Sequence, residues 1–483
     1  MNIVFLAAEC APFAKVGGLG DVIGSLPAAL ARLGHSARVM LPHHGVIDDT
    51  VFGIQPLETF TMAWNGATTQ VEVSAVERDG VTHYFLRGWP YFAPNDRFIY
   101  HRKEGIDIGR FLFLAAAALE LTRRIGARHH WRPDVFHAHD WHTAGLPYLL
   151  ESLYHGDPIV GDVATLFTVH NMQYQGWGAE WHLARAGLPP VDHPLLVAMD
   201  KTDAMLALGL AYSTMLSTVS PRYAEEIALP EDGHGLDGLT HARSKHLMGV
   251  LNGIDTERWN PATSRHLKVN YDADTLSARA KNKSALQAEL GLQKRAKKML
   301  FGSVMRLVDQ KGPAILFPAA RRMLETTDCQ FVLLGAGQPE HEKAVLDLAA
   351  EFPGRAVTRV GFDEALSERI YAGIDVFVMP SLFEPCGIGQ MIAMRYGALP
   401  LTSNVGGLAD TVDETVGFVT PDHSVDGLAT TLANALEVYD HDRTGWRKKQ
   451  LTAMRRDFSW QHSAQAYSLL YQQAVDLRRA HRH

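Results

Sequence analysis

Arg306 and Lys311 lie in the segment VMRLVDQKG, directly after an apolar run that reads as a buried strand. Two cations at a strand end, before a glycine, suit a diphosphate leaving group, whose developing charge they neutralise without a metal. The same pair also fits a solvated loop with an Arg–Asp contact. Glu384 opens the segment EPCGIGQ, between the apolar run VFVM and a helical pattern. A carboxylate there can accept bonds from sugar hydroxyls or face a cationic carbon, and the amides of Cys386, Gly387 and Ile388 can hold phosphate. Cys386 has no His/Asn arrangement beside it that would make it a nucleophile, and it reads as a small residue packed in a tight turn. Lys15, Gly17 and Gly18 belong to KVGGLGD, between a strand and a helix. Glycines let the backbone approach a ligand and a helix start presents N–H groups to an anion, although a bare turn explains the spacing equally well. The pattern is not GxGxxG, so a dinucleotide fingerprint is not met.

His137, His139 and His142 in HAHDWH invite a metal reading close to HxHxDH, but Trp141 stands where the Asp of that pattern belongs. Zinc would also need further ligands elsewhere. A strand end offering Asp140 and a neighbouring His to sugar hydroxyls is the better account. Asp272-Ala273-Asp274 spells the DxD of metal-dependent glycosyltransferases, yet it follows Asn260-Pro261 in polar turn chemistry and reads as a surface turn.

These residues need a scaffold. Residues 2–9 form a short apolar run typical of a strand buried on both faces, followed by a glycine loop, a helical pattern over 21–33 and a strand at 38–42. That βαβ unit implies a parallel sheet. Further buried-strand patterns fall at 134–137, 165–169 and 215–219, each ending in polar residues, and in open α/β sheets ligands sit outside such carboxyl ends. Turn chemistry around 251–261 breaks the rhythm, and strand patterns restart at 299–305, 330–334, 375–379 and 399–402. VGGLGD at 16–21 and VGGLAD at 405–410 are a weak internal echo of two related halves.

The chain has 483 residues, about right for two large domains. A net charge of −7 argues against a sequence-independent grip on nucleic acid or an anionic membrane. Its 46% hydrophobic and 20% charged residues are ordinary globular values. The apolar run at 111–119 is too short to span a bilayer, the N-terminus does not read as a signal peptide, and three scattered cysteines lack metal spacing. A cytoplasmic protein is expected.

With these segments in hand, the sequence resembles bacterial glycogen synthases and plant starch synthases nearly end to end. Nine segments carry the likeness in family order: KVGGLGDV (15–22), HAHDWH (137–142), FTVHNMQYQG (167–176), TVSPRYAEEI (218–227), VLNGIDTERWNP (250–261), RLVDQKG (306–312), LLGAGQP (333–339), FEPCGIGQ (383–390) and GGLADTV (406–412). The resemblance implies an α/β fold of two doubly wound Rossmann-like domains facing a deep cleft, the GT-B architecture. It places an acceptor-side domain over 1–250 and a nucleotide-sugar domain over 251–460, with a helix at about 461–483 returning to the first. It implies transfer of glucose from ADP-glucose to the non-reducing end of an α-1,4-glucan, with retention. Lys15, Gly17 and Gly18 would meet the donor diphosphate and glucose, Arg306 and Lys311 the diphosphate, and Cys386, Gly387 and Ile388 the phosphates. Asp140, His170 and Asn252 would lie at the sugar, Glu384 would bind its 3- and 4-hydroxyls, and Phe362 would stack on the base. Ile392 stands where neighbouring families carry a ribose-binding Glu, which leaves the ribose contact unassigned. Neither metal nor cofactor is called for.

Nucleoside diphosphate leaves readily, so the demands are to stabilise its charge and to shelter an oxocarbenium-like carbon from water. Domain closure about Asn252 would do the second. Retaining glycosidases use two carboxylates about 5 Å apart. No convincing nucleophile is offered here, which favours same-face attack. The alternatives are another GT-B transferase with UDP-glucose or a different acceptor, a metal-dependent hydrolase on HAHDWH, and a non-catalytic glucan-binding protein.

Overall fold

In a computed structural model, which describes residues 1–101 and 105–480, the chain divides into two compact α/β units. One comprises Met1–Asn252 with the chain from Trp460 onward, the other Gly253–Ser459.

The first unit is built on nine strands: β1 (Asn2–Leu6), β2 (Ser36–Pro42), β3 (Gln55–Trp64), β4 (Ala67–Arg78), β5 (Val81–Gly88), β6 (Val135–His139), β7 (Ala164–Val169), β8 (Met215–Thr218) and β9 (Leu247–Gly249). Their order in the sheet is β3-β4-β5-β2-β1-β6-β7-β8-β9. Strands β1, β6, β7 and β8 are almost wholly buried, polar members included, because helices cover both faces of a parallel sheet. The antiparallel β3–β4–β5 extension was not foreseen. It turns at Asn65-Gly66 and Asp79-Gly80, where all four residues have positive φ, the geometry of tight two-residue hairpins. The helix Gly18–Arg32 starts three residues earlier than the pattern at 21–33 suggests, so half of the KVGGLGD segment is helical.

The helix Trp460–Ala480 lies on the core of this same unit, burying Trp460, Ala464, Tyr467, Leu470, Tyr471 and Ala474 with β1 and the helix Gly18–Arg32. The last positions of the expected terminal helix, 481–483, lie outside the described residues.

The second unit carries β10 (Leu300–Val304), β11 (Gln330–Gly335), β12 (Ala356–Val360), β13 (Val376–Met379), β14 (Leu399–Thr402) and β15 (Phe418–Val419), all parallel, in the order β12-β11-β10-β13-β14-β15. Each sheet has one topological switch point. In the first unit it lies between β1 and β6, in the second between β10 and β13. These are the places where an open α/β sheet leaves a crevice at its carboxyl edge. Among the described residues no helix is long and apolar enough to cross a membrane.

Candidate active site

The first switch point gathers two loops. After β1 the chain reaches Glu9, whose buried carboxylate accepts hydrogen bonds from the backbone N–H of Val16 at 2.6 Å and of Gly17 at 2.8 Å, and from the Tyr100 hydroxyl. Two of the glycine-loop amides are therefore spent on Glu9, which sets the loop's shape. Gly24 lets the helix Gly18–Arg32 press on this loop, since a Cβ there would lie 2.6 Å from the Ala11 carbonyl oxygen. Gly17 and Gly18 are different. Neither has a positive φ, and among the described residues a Cβ on either would meet nothing within 4 Å. Neither packing nor conformation asks for glycine at these two positions. Lys15 is half-exposed and pairs with Asp21 at 2.6 Å.

The strand β6 ends on His139, and Asp140 follows it. Asp140 opens a short helix with φ of 57°, a left-handed conformation that strains a residue with a Cβ. Its Oδ1 accepts the backbone N–H of His170, which follows β7, at 2.7 Å. Burial pushes the Asp140 carboxyl up to about 7, against backbone N–H donors from His170 and Asn171 and with the Glu9 charge adding to the rise. His170 is pushed down to about 3 by burial, and its Nε2 lies 3.1 Å from His139 Nδ1. The metal reading of HAHDWH fails on His137, whose two ring nitrogens are engaged by Tyr471 Oη at 2.8 Å and Thr168 Oγ1 at 2.6 Å. Asn252, the last residue of the unit before the chain leaves it, is buried, and among the described residues its Oδ1 has no hydrogen-bond partner.

The second switch point brings together the loops after β10 and β13. Lys311 ends a single turn at Asp309–Lys311, and its Nζ pairs with the buried carboxylate of Glu384, which also accepts the Ser381 hydroxyl at 3.0 Å. The loops are sewn together by the backbone: Leu382 N–H donates to Gln310 O at 2.8 Å, and Gln310 Nε2 donates to Phe383 O at 3.2 Å. Arg306 follows β10 and is exposed. Gly387 has φ of 72°, a turn that glycine adopts without strain, and leads through Ile388 into the helix Gly389–Arg395. Gln390 Nε2 holds that turn, donating to the carbonyls of Cys386 at 3.2 Å and Gly387 at 3.0 Å. Cys386 is buried, and Gly407 packs on it so closely that a Cβ would sit 2.2 Å from the Cys386 carbonyl oxygen. Phe362, after β12, is 89% exposed at the rim of a cavity of about 290 Å³ walled by Leu290, Leu334, Val360 and Leu366. Ile392, at the position of the absent ribose-binding Glu, is in the core. Asp272 binds the N–H groups of Asp274 and Thr275 in an exposed turn, as a structural Asp does.

A family model described as the starch synthase catalytic domain matches residues 2–242, and one described as glycosyl transferases group 1 matches 288–450. Glycogen synthase from Anaeromyxobacter sp. (strain Fw109-5) is 42% identical over 481 residues, covering 98% of this chain and 99% of that protein. The chain belongs to the glycogen and starch synthase family. Glycogen synthase from Streptococcus mutans is 41% identical over 98% of this chain and 100% of its own length, and that from Gloeobacter violaceus 39% over 98% and 99%. Among solved structures, the catalytic domain of starch synthase IV from Arabidopsis thaliana, bound to ADP and acarbose, superposes with a TM-score of 0.87 at 34% identity, covering 98% of this chain and 99% of that one. Sucrose-phosphate synthase from Thermosynechococcus elongatus shares the fold, with a TM-score of 0.60 at 17% identity. This glycogen synthase relative is therefore a glucosyltransferase with two parallel-sheet α/β domains of the GT-B class.

Sequence reasoning missed three polar residues in this glucosyltransferase. Glu9 is a charged residue ending an apolar strand, a signal that was legible. Tyr100 lies 91 residues from Glu9 in the chain and carries no local signal. Ser381 precedes Glu384 by three residues and was passed over as part of a turn.

Proposed function

We propose that the protein transfers glucose from ADP-glucose to the non-reducing end of an α-1,4-glucan with retention of configuration, releasing ADP in the cytoplasm. The observation that carries the reading is the second switch point, where Arg306, Lys311 and Glu384 from two separate loops converge on one edge of one sheet. The ADP and acarbose named with the Arabidopsis starch synthase support the nucleotide and the glucan class. In this reading the second unit, taken as residues 251–460, holds the nucleotide sugar, with Arg306 and Lys311 on the diphosphate and the amides of Cys386, Gly387 and Ile388 on phosphate oxygens. Phe362 offers a ring face to the base. Glu384 accepts the glucose 3- and 4-hydroxyls. The first unit, taken as 1–250 with the terminal helix, supplies Lys15 and the Gly18 amide to the diphosphate, with Gly17, whose own N–H is held by Glu9, leaving the backbone open to its approach, and supplies Asp140, His170 and Asn252 to the sugar. The open surroundings of Gly17 and Gly18 fit a backbone that a ligand must approach.

The bond from the anomeric carbon to the phosphate oxygen breaks as the acceptor 4-hydroxyl oxygen bonds that carbon from the same face. The departing phosphate takes the acceptor's proton. Arg306 and Lys311 supply the charge that the leaving diphosphate needs. The test is glucose incorporation into glycogen with ADP-glucose and UDP-glucose side by side, with and without EDTA. Turnover of ADP-glucose unaffected by chelator is expected. A preference for UDP-glucose would overturn the donor, loss of activity in EDTA would overturn the metal-free charge neutralisation, and activity with neither donor would overturn the reading.

A further inference from the structure

His139 is wholly buried at the end of β6, its ring stacked on Phe5 with centroids 6.0 Å apart and tilted against His137 at 4.0 Å. Its backbone is locked as well: its N–H donates to Thr143 Oγ1 at 2.5 Å, and the Thr143 hydroxyl donates to its carbonyl at 2.8 Å. Among the described residues the ring makes one hydrogen bond, Nδ1 to His170 Nε2 at 3.1 Å, and its own buried Nε2 has no partner. Burial holds both rings neutral, with His139 well below the ordinary histidine range and His170 near 3.

Two neutral imidazoles share one proton across such a contact, so one ring donates and the other accepts. If His170 Nε2 donated, His139 would carry its proton on Nε2, a buried N–H without an acceptor. Such orphaned donors are rare because they forfeit a hydrogen bond to water. If His139 Nδ1 donates, its Nε2 is a bare lone pair and His170 carries its proton on Nδ1. We propose that His139 is a positioning residue that donates from Nδ1 to His170 Nε2, fixing His170 as the Nδ1–H tautomer and leaving that N–H as the one donor the His170 ring offers a sugar hydroxyl. The proposal rests on the reading of His170 as a sugar contact given above.

Tautomers are read by NMR on the full chain labelled with 15N-histidine, the His170 signals being assigned by their loss in His170→Asn. Protonated Nδ1 and an accepting Nε2 are expected at His170, and a protonated Nε2 overturns the proposal. In turnover assays His139→Leu lowers kcat about 10- to 100-fold while the donor KM stays within about 3-fold. His139→Asn, whose amide falls where Nδ1 was, recovers most of that loss; His139→Gln, whose amide reaches the Nε2 position, does not. Recovery by Gln and not Asn, or an unchanged kcat in His139→Leu, overturns the assignment. Should His139→Leu fail to fold, the spectrum of the unmodified protein and the Asn–Gln pair still decide. Normal turnover in His170→Asn would instead sink the reading of His170 as a sugar contact, while the tautomer spectrum remained a test of the proposal.

Discussion

Gly18→Ala separates what the fold needs from what the ligand needs. Gly18 is the first residue of the helix Gly18–Arg32, its φ is not left-handed, and an added Cβ meets nothing within 4 Å. Alanine there loses less chain entropy on folding than glycine, so the variant should be as stable as the parent or more so by about 0.5–1 kcal/mol. For a domain of this size that is a rise in Tm of roughly 1–4 °C. The ligand sees the opposite. A phosphate oxygen at hydrogen-bonding distance from the amide, about 2.9 Å, would have the new methyl in its path. Loss of one charge-assisted bond is worth about 1.5–3 kcal/mol, or roughly 10- to 150-fold in affinity. Thermal unfolding and calorimetric titration with ADP on the same preparations measure both numbers. ADP affinity within twofold of the parent would refute the idea that this glycine serves a ligand, and a fall in Tm would refute the packing argument. Gly407→Ala, in the echoing segment, is the counter-case. Its Cβ would lie 2.2 Å from the Cys386 carbonyl oxygen, so it should destabilise the second unit by about 1–3 kcal/mol before any ligand is added.

Glu384→Gln removes the counter-charge of Lys311 yet keeps an acceptor for Ser381, and it should lower turnover by orders of magnitude while ADP binding largely survives; near-normal turnover would count against Glu384 as a reacting-sugar contact. Glu9→Ala removes the acceptor of the Val16 and Gly17 amides and should cost about 2–4 kcal/mol of stability, read from the urea midpoint, with donor KM rising as the loop loses its shape. An unchanged KM with lowered stability would show that the loop is set by packing alone. Acid should unfold the protein early. Burial pushes His44 and His83 down to about 4 and His142 to about 3, so the folded state keeps them neutral while the unfolded chain takes up protons below about 6.5. Stability therefore falls as pH drops below that value, by roughly 2 kcal/mol for each of the three at pH 5. Asp140, held near 7, works the other way, losing stability as pH rises from about 4 towards 7. A urea midpoint that does not fall between pH 7 and pH 5 would contradict the burial of these histidines.

Much of the scaffold was legible in order along the chain. Strands buried on both faces of a parallel sheet are short and mostly apolar, so β1, β6, β7, β10, β11 and β13 announced themselves, and polar residues just beyond several of them are the ones proposed for the site. The β3–β4–β5 hairpins were also written in the chain, as Asn65-Gly66 and Asp79-Gly80, but their half-exposed strands lack the apolar runs that drew attention elsewhere. The two halves of the GGL echo look alike in sequence and differ in what surrounds them: Gly407 is pressed on a carbonyl, while Gly17 and Gly18 face open space.

The sequence by itself determined which residue types stand at each strand end, because that depends on local burial and turn chemistry. Only the tertiary structure decided which ends become neighbours. Strand order puts the loop after β1 beside the loop after β6, and the loop after β10 beside that after β13. From this follows the pairing of Lys311 with Glu384 across 73 residues, while the pairing of β6 with β7 brings His139 to His170, and Tyr100 reaches Glu9 from 91 residues away. These contacts join residues far apart in the chain, and no local propensity encodes them. Desolvation acts only once the sheet has closed around them, and it is what sets the Asp140 carboxyl near 7 and the His170 ring near 3.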